Sequence, residues 1–112
     1  MARIFYVHWH EAEAMTHVRA LAREGHKVEC HWSTEEPPKI GEPYPDALVI
    51  SLDRLPSHGK AVAEWFWEAK RRQSIPLVFA GGQPEKVAAM KAKFPKATFC
   101  AANKVAATAS LL

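Results

Sequence analysis

The residues of this sequence best equipped for chemistry are histidines and an aspartate in two short polar stretches. His8 and His10 alternate in the run His8-Trp9-His10-Glu11, so on extended backbone both project to one side. Asp53 and His58 lie in the polar stretch after the apolar run Asp46 to Leu52. Imidazole and carboxylate are the ligands that Zn²⁺ and other transition metals take. His8, His10, Asp53 and His58 are therefore a candidate metal set, although the pattern is met more often in solvated or hydrogen-bonded histidines. A second set suits an anion or a small ligand: Ser51, Asp53, the pair Gly81-Gly82 and Lys104. Gly81-Gly82 precedes Gln83-Pro84 at the start of a helical segment, where unpaired N–H groups and the helix dipole favour negative charge. Glycine also permits close backbone approach there. No particular cofactor is identified by these residues.

Covalent catalysis finds less support. Ser51, Asp53, Ser57 and His58 are neighbours in sequence, but no G-x-S-x-G elbow surrounds either serine. Cys30 and Cys100 each sit in a strand-like run without CxxC spacing, which reads as two buried free thiols. Catalysis at the same polar stretches remains a third possibility behind binding and interaction.

The elements that must position these residues follow from hydrophobic spacing. Arg3 to Val7 suits a buried strand. Met15, Val18, Leu21 and Ala22 recur at helical intervals within Glu11 to Arg23 and predict an apolar face there, ended by Gly25 as a left-handed cap. Lys27 to His31 alternates like an edge strand. Between Trp32 and Pro45 the prolines 37, 38, 43 and 45, with Gly41, forbid a regular helix. Asp46 to Leu52 predicts a central strand, Asp53 to Gly59 a loop, Lys60 to Arg72 a helix, and Pro76 to Ala80 a fourth strand. Gln83 to Phe94 predicts a helix with Pro84 in its first turn, Ala97 to Ala101 a fifth strand, and Asn103 to Leu112 a last short helix.

Strands alternating with helices require right-handed crossovers and a parallel sheet. The expected fold class is a doubly wound five-stranded α/β sheet in the flavodoxin-like order 2-1-3-4-5, with a Pro-rich loop replacing the second helix. Residues 1–112 are read as one domain. Ligands of such sheets bind beyond the carboxyl ends of strands one and three, where the polar stretches fall.

The formal charge of +3 is a mild excess, not the basic stripe of a nucleic-acid binder. No apolar run reaches the ~20 residues of a membrane helix, and Met1-Ala2-Arg3 leads into a strand without a signal-peptide pattern. The expectation is a cytoplasmic chain that binds neither nucleic acid nor membrane. Trp65-Phe66-Trp67 stands out: consecutive helix positions point about 100° apart, so Trp65 and Trp67 flank the stripe led by Phe66. Tryptophan is enriched at interface hot spots, and these two are the candidate contact residues for a protein partner or self-association.

The order of elements resembles the receiver domains of bacterial response regulators over nearly the whole chain. The likeness is best at Asp46-Ala47-Leu48-Val49-Ile50-Ser51-Leu52-Asp53-Arg54-Leu55-Pro56, at Gly59, and at Ile75-Pro76-Leu77-Val78-Phe79. The resemblance implies an acidic pair after strand one, an aspartate four residues before the loop proline, a Ser or Thr ending strand four and a lysine followed by proline. Those places hold His8 and Trp9, Leu52, Ala80 or Gly81, and Lys104 followed by Val105. A second resemblance, to cobalamin-binding domains, rests on His10, Ser51-Leu52 and Gly81-Gly82. The reading is a non-catalytic, receiver-like signalling or protein-interaction module without phosphoacceptor chemistry; the alternative is a small-ligand or metal-binding domain at the switch point.

Overall fold

The computed structural model describes residues 3–32, 40, 44–53, 56–68 and 70–109, with the side chains of residues 56–58, 71 and 102 outside that description. Five parallel strands form one sheet: β1 Arg3–Val7, β2 Lys27–His31, β3 Ala47–Ser51, β4 Leu77–Ala80 and β5 Thr98–Cys100. Their order is β2-β1-β3-β4-β5, the flavodoxin-like order expected. The central register pairs Tyr6 with Val49 and Val49 with Val78. Arg3 and Asp46 fix the start of it: each backbone N–H bonds the other residue, Asp46 N to the Arg3 carbonyl and Arg3 N to the Asp46 carboxylate.

The pleat divides the core in two. Phe5, Val7, Leu48, Ile50 and Phe79 face one side with Phe66 and Met90. These last two come from helices α2 Pro56–Trp67 and α3 Pro84–Lys93. Ile4, Tyr6, Val49 and Val78 face the other with Leu21, Val105 and Ala109, from α1 Glu11–Arg23 and the short α4 Val105–Ala109. β3 is buried along its whole length, as expected of a strand covered on both faces.

α1 has the predicted limits but a different phase. Its fully buried residues are Ala14 and Leu21, while Met15 is 39% exposed and Ala22 lies outside. The small alanine lets α1 sit close to the sheet, and that rotates Met15 to the solvent side. Gly25, at φ +88°, closes the helix as expected. Its N–H bonds the Ala22 carbonyl while that of His26 bonds the Leu21 carbonyl, the paired bonds of a Schellman cap.

α2 corrects the reading of Asp53 to Gly59 as loop. The helix begins at Pro56, because proline at a first helical position loses no hydrogen bond and already has helical φ. It ends at Trp67, and a 3₁₀ segment follows over Lys70–Ser74. Arg72 of that segment bonds the carbonyls of Phe66 at 2.6 Å and Trp65 at 2.9 Å, and Gln73 bonds that of Trp67. Side chains thus satisfy the last carbonyls of α2. No helix lies between β2 and β3 among the described residues; most of the proline-rich loop expected there falls outside them.

Candidate functional site

The carboxyl ends of β1 and β3 meet at one place, and Trp9 spans it. Its half-buried ring packs against the core under β3, and its indole N–H reaches the Ser51 carbonyl at 3.3 Å. The crevice that fold topology offers to ligands is bridged by this side chain. Nothing in the local run His-Trp-His announces it, since the partner carbonyl lies 42 residues away.

His8, on the other face, is 1% exposed. Its Nδ1 accepts from the backbone N–H groups of Trp9 at 2.8 Å and His10 at 3.1 Å. An acceptor at Nδ1 leaves the proton of the neutral ring on Nε2, which faces a Glu13 carboxylate oxygen at 3.6 Å. Burial lowers the pKa of His8, and the Glu13 charge opposes that shift only in part. Protonation at Nδ1 would set a third N–H against two donors. His8 also stacks with Tyr6 and His17, the three ring centroids lying 5.7–5.9 Å apart. Burial raises the Tyr6 phenol above its ordinary range.

His10 meets His8 across the Glu13 carboxylate, whose two oxygens lie 3.6 Å from His8 Nε2 and 3.8 Å from His10 Nδ1. His10 also caps α1, its exposed ring accepting from the Glu13 N–H at 3.4 Å. Asp53 is engaged elsewhere, and the side chain of His58 lies outside the described residues although its backbone belongs to α2. Among the described residues, no three His, Cys, Asp or Glu side chains converge closely enough to hold a metal ion.

The anion set is partly assembled. Asp53 Oδ1 accepts from the Gly82 N–H at 2.8 Å, and Asp53 N donates to Ser51 Oγ at 3.1 Å. Gly81 and Gly82 have φ of +72° and +93°. A Cβ on Gly81 would collide with the Asp53 carboxylate, and one on Gly82 would come within 2.8 Å of Leu52 Cβ. The Gly82 N–H that could hold an external anion therefore already holds an internal one. Beside it runs an open groove of about 530 Å³ lined by Asp53, Gly81, Gly82, Val87, Lys91 and Cys100, among others. Among the described lining residues, the cation of this groove is Lys91, from α3. Lys104 is exposed, ends a 3₁₀ turn and is not among the lining residues.

Both thiols are half-buried and form no disulfide. Burial pushes Cys30 up to about 11 and raises Cys100, so neither is a ready thiolate. Trp65 and Trp67 part company. Trp65 is 38% exposed with the Arg72 guanidinium stacked 4.7 Å from its ring centroid. Trp67 is half-buried edge-on against Phe94.

No protein-family model and no curated protein matches this sequence. Solved structures do match it in shape. The bacteriophytochrome response regulator RtBRR superposes with a TM-score of 0.65 at 14% identity, covering 88% of this chain and 68% of that one. The N-terminal domain of a response regulator receiver protein from Methanoculleus marisnigri JR1 gives 0.64 at 17% identity, covering 90% and 82%. The fold is thus that of a receiver-like α/β domain; at such identities the likeness extends to the fold alone. No helix among the described residues is long and apolar enough to cross a membrane.

Proposed function

We propose that this chain is a receiver-like signalling module that binds protein partners and works without a phosphorylation cycle. The observation that carries this reading is the state of the cleft. Leu52, in the place that the receiver resemblance gives to the phosphoacceptor, is buried in the core. Asp53, one residue on, bonds Gly82. Trp9 occupies one of the two places of the acidic pair and bonds Ser51. Phosphoryl transfer on the receiver pattern needs Mg²⁺, which takes several oxygen ligands in octahedral array. The single Asp53 carboxylate, one oxygen of which is held by the Gly82 amide, does not supply that array. Trp65, exposed beneath Arg72, is the aromatic anchor through which such a module would meet a protein partner.

Acetyl phosphate or beryllofluoride with Mg²⁺ tests the reading. The expected result is no covalent phosphoryl adduct and no change in thermal stability; an adduct on Asp53 overturns it. A second reading, a small-ligand domain, draws on the groove beside Asp53, whose volume falls in the ~300–1,000 Å³ range of ligand pockets and which includes Lys91. Elemental analysis of the purified protein and thermal shift with Zn²⁺, Ni²⁺ and small anions decide between the two.

A further inference from the structure

The rotation of α1 leaves a surface unexplained by the core. Met15 is 39% exposed and Trp32, just beyond β2, is 45% exposed; among the described residues, only Trp65 is another large exposed hydrophobic. Met15 and Trp32 line one groove of about 640 Å³ together with Trp9, Glu11, Ala12 and Arg19. Apolar side chains gathered in one place call for a partner more than the same residues scattered singly.

The charges on this face name the partner. Glu11, Met15 and Arg19 lie on one line of α1, each charge four residues from the methionine, so about 6 Å of helix separates each from it. Neither Glu11 nor Arg19 forms an ion pair among the described residues. The pattern changes sign about Met15. A second α1 laid antiparallel across it, with a two-fold axis at Met15, puts Glu11 of each copy opposite Arg19 of the other and methionine against methionine. A two-fold interface must be self-complementary in this way. A parallel approach would set like charges together, which costs association energy.

We propose that the chain forms a two-fold dimer through α1, Met15 packing at the axis between two Glu11–Arg19 pairs and Trp32 extending the apolar contact. The pairing stands on α1 and Trp32 and does not rest on the reading of the Asp53 cleft.

Sedimentation equilibrium of the intact chain, from micromolar to near-millimolar concentration, tests it with two charge reversals. The wild type is expected to dimerise reversibly, less so in high salt. Glu11→Arg and Arg19→Glu each create two like-charge contacts and are expected to weaken the dimer at least about tenfold. Mixing these two variants restores both opposite-charge contacts, so a heterodimer is expected in native mass spectrometry at wild-type strength. The double variant E11R/R19E, which keeps the pairs with their signs exchanged, is expected to dimerise like the wild type and serves if one reversal does not fold by circular dichroism. A strictly monomeric wild type, single reversals that associate as well as the parent, or a mixture that does not recover the dimer each overturn the proposal. None of these bears on phosphoryl labelling, which tests the cleft separately.

Discussion

The Asp53 carboxylate and the Gly82 amide, 29 residues apart, are joined by a 2.8 Å hydrogen bond that ties the loop after β3 to the turn after β4. The glycine before Gly82 owes its identity to the same carboxylate, since any side chain at Gly81 would strike it.

This makes Gly81 and Asp53 energetically coupled. Gly81→Ala is expected to destabilise by ~3 kcal/mol, part from left-handed backbone at φ +72° and part from the displaced carboxylate. In an Asp53→Ala background, the same change is expected to cost only ~1–2 kcal/mol, giving a coupling of ~1 kcal/mol or more. Gly25→Ala isolates the backbone part: its φ is +88° and a Cβ there meets nothing within 4 Å, so ~1–2 kcal/mol is expected. Urea unfolding of the four variants measures all three quantities.

His8 is expected to make the protein acid-sensitive. Its pKa is lowered in the fold, so between that value and the unfolded value of ~6.5 the unfolded chain binds more protons and stability rises with pH. The contribution of the neutral ring is complete above pH ~6.5 and is lost as pH falls below it, with a slope of at most ~1.4 kcal/mol per pH unit. His8→Asn keeps an acceptor near the Trp9 and His10 amides but does not titrate. Its unfolding free energy should be lower at neutral pH and flatter with pH just below ~6.5. An unchanged slope would place the acid sensitivity in another group.

Trp9→Phe is expected to keep an aromatic ring in the half-buried seat while losing the bond to the Ser51 carbonyl and part of the indole's packing area. A cost of ~0.5–1.5 kcal/mol in chemical denaturation follows, with Trp9→Ala costing more because it also vacates the space over the core.

Two aromatic residues of α2, Phe66 and Trp67, should separate cleanly in the same assay. Phe66 has no exposed surface, and Phe66→Ala is expected to cost ~3–5 kcal/mol. Trp67 carries a buried indole N–H with no hydrogen-bond partner among the described residues. Trp67→Phe removes that unpaired donor while shrinking the ring. The two effects oppose one another, so the net change should lie within ~1 kcal/mol.

Where sequence reasoning missed, the cause was phase or distance. In α1 the period of 3.6 was legible, but Met15 outranked Ala14 as a core candidate on hydrophobicity. Close packing on the sheet favoured the smaller side chain, and with it the partly buried His17 and Glu13 turned inward toward His8. In α2, Pro56 suits a loop and a first helical turn equally well, and local sequence does not choose between them. His8 and His10 alternate in sequence; in the fold one follows β1 and faces α1, and the other caps α1.

Local patterning was enough for the strands, their parallel order, the cap at Gly25 and the turn at Gly81-Gly82, because alternation, helical period and glycine geometry act within a few residues. The occupant of the switch point was not local. Trp9 bonds Ser51 and Asp53 bonds Gly82 only because the sheet sets β1 beside β3 and β3 beside β4. Hydrogen bonds fall off within a few tenths of an ångström. Whether these side chains reach each other is therefore decided by strand register and helix phase, which long-range packing sets and sequence spacing does not record.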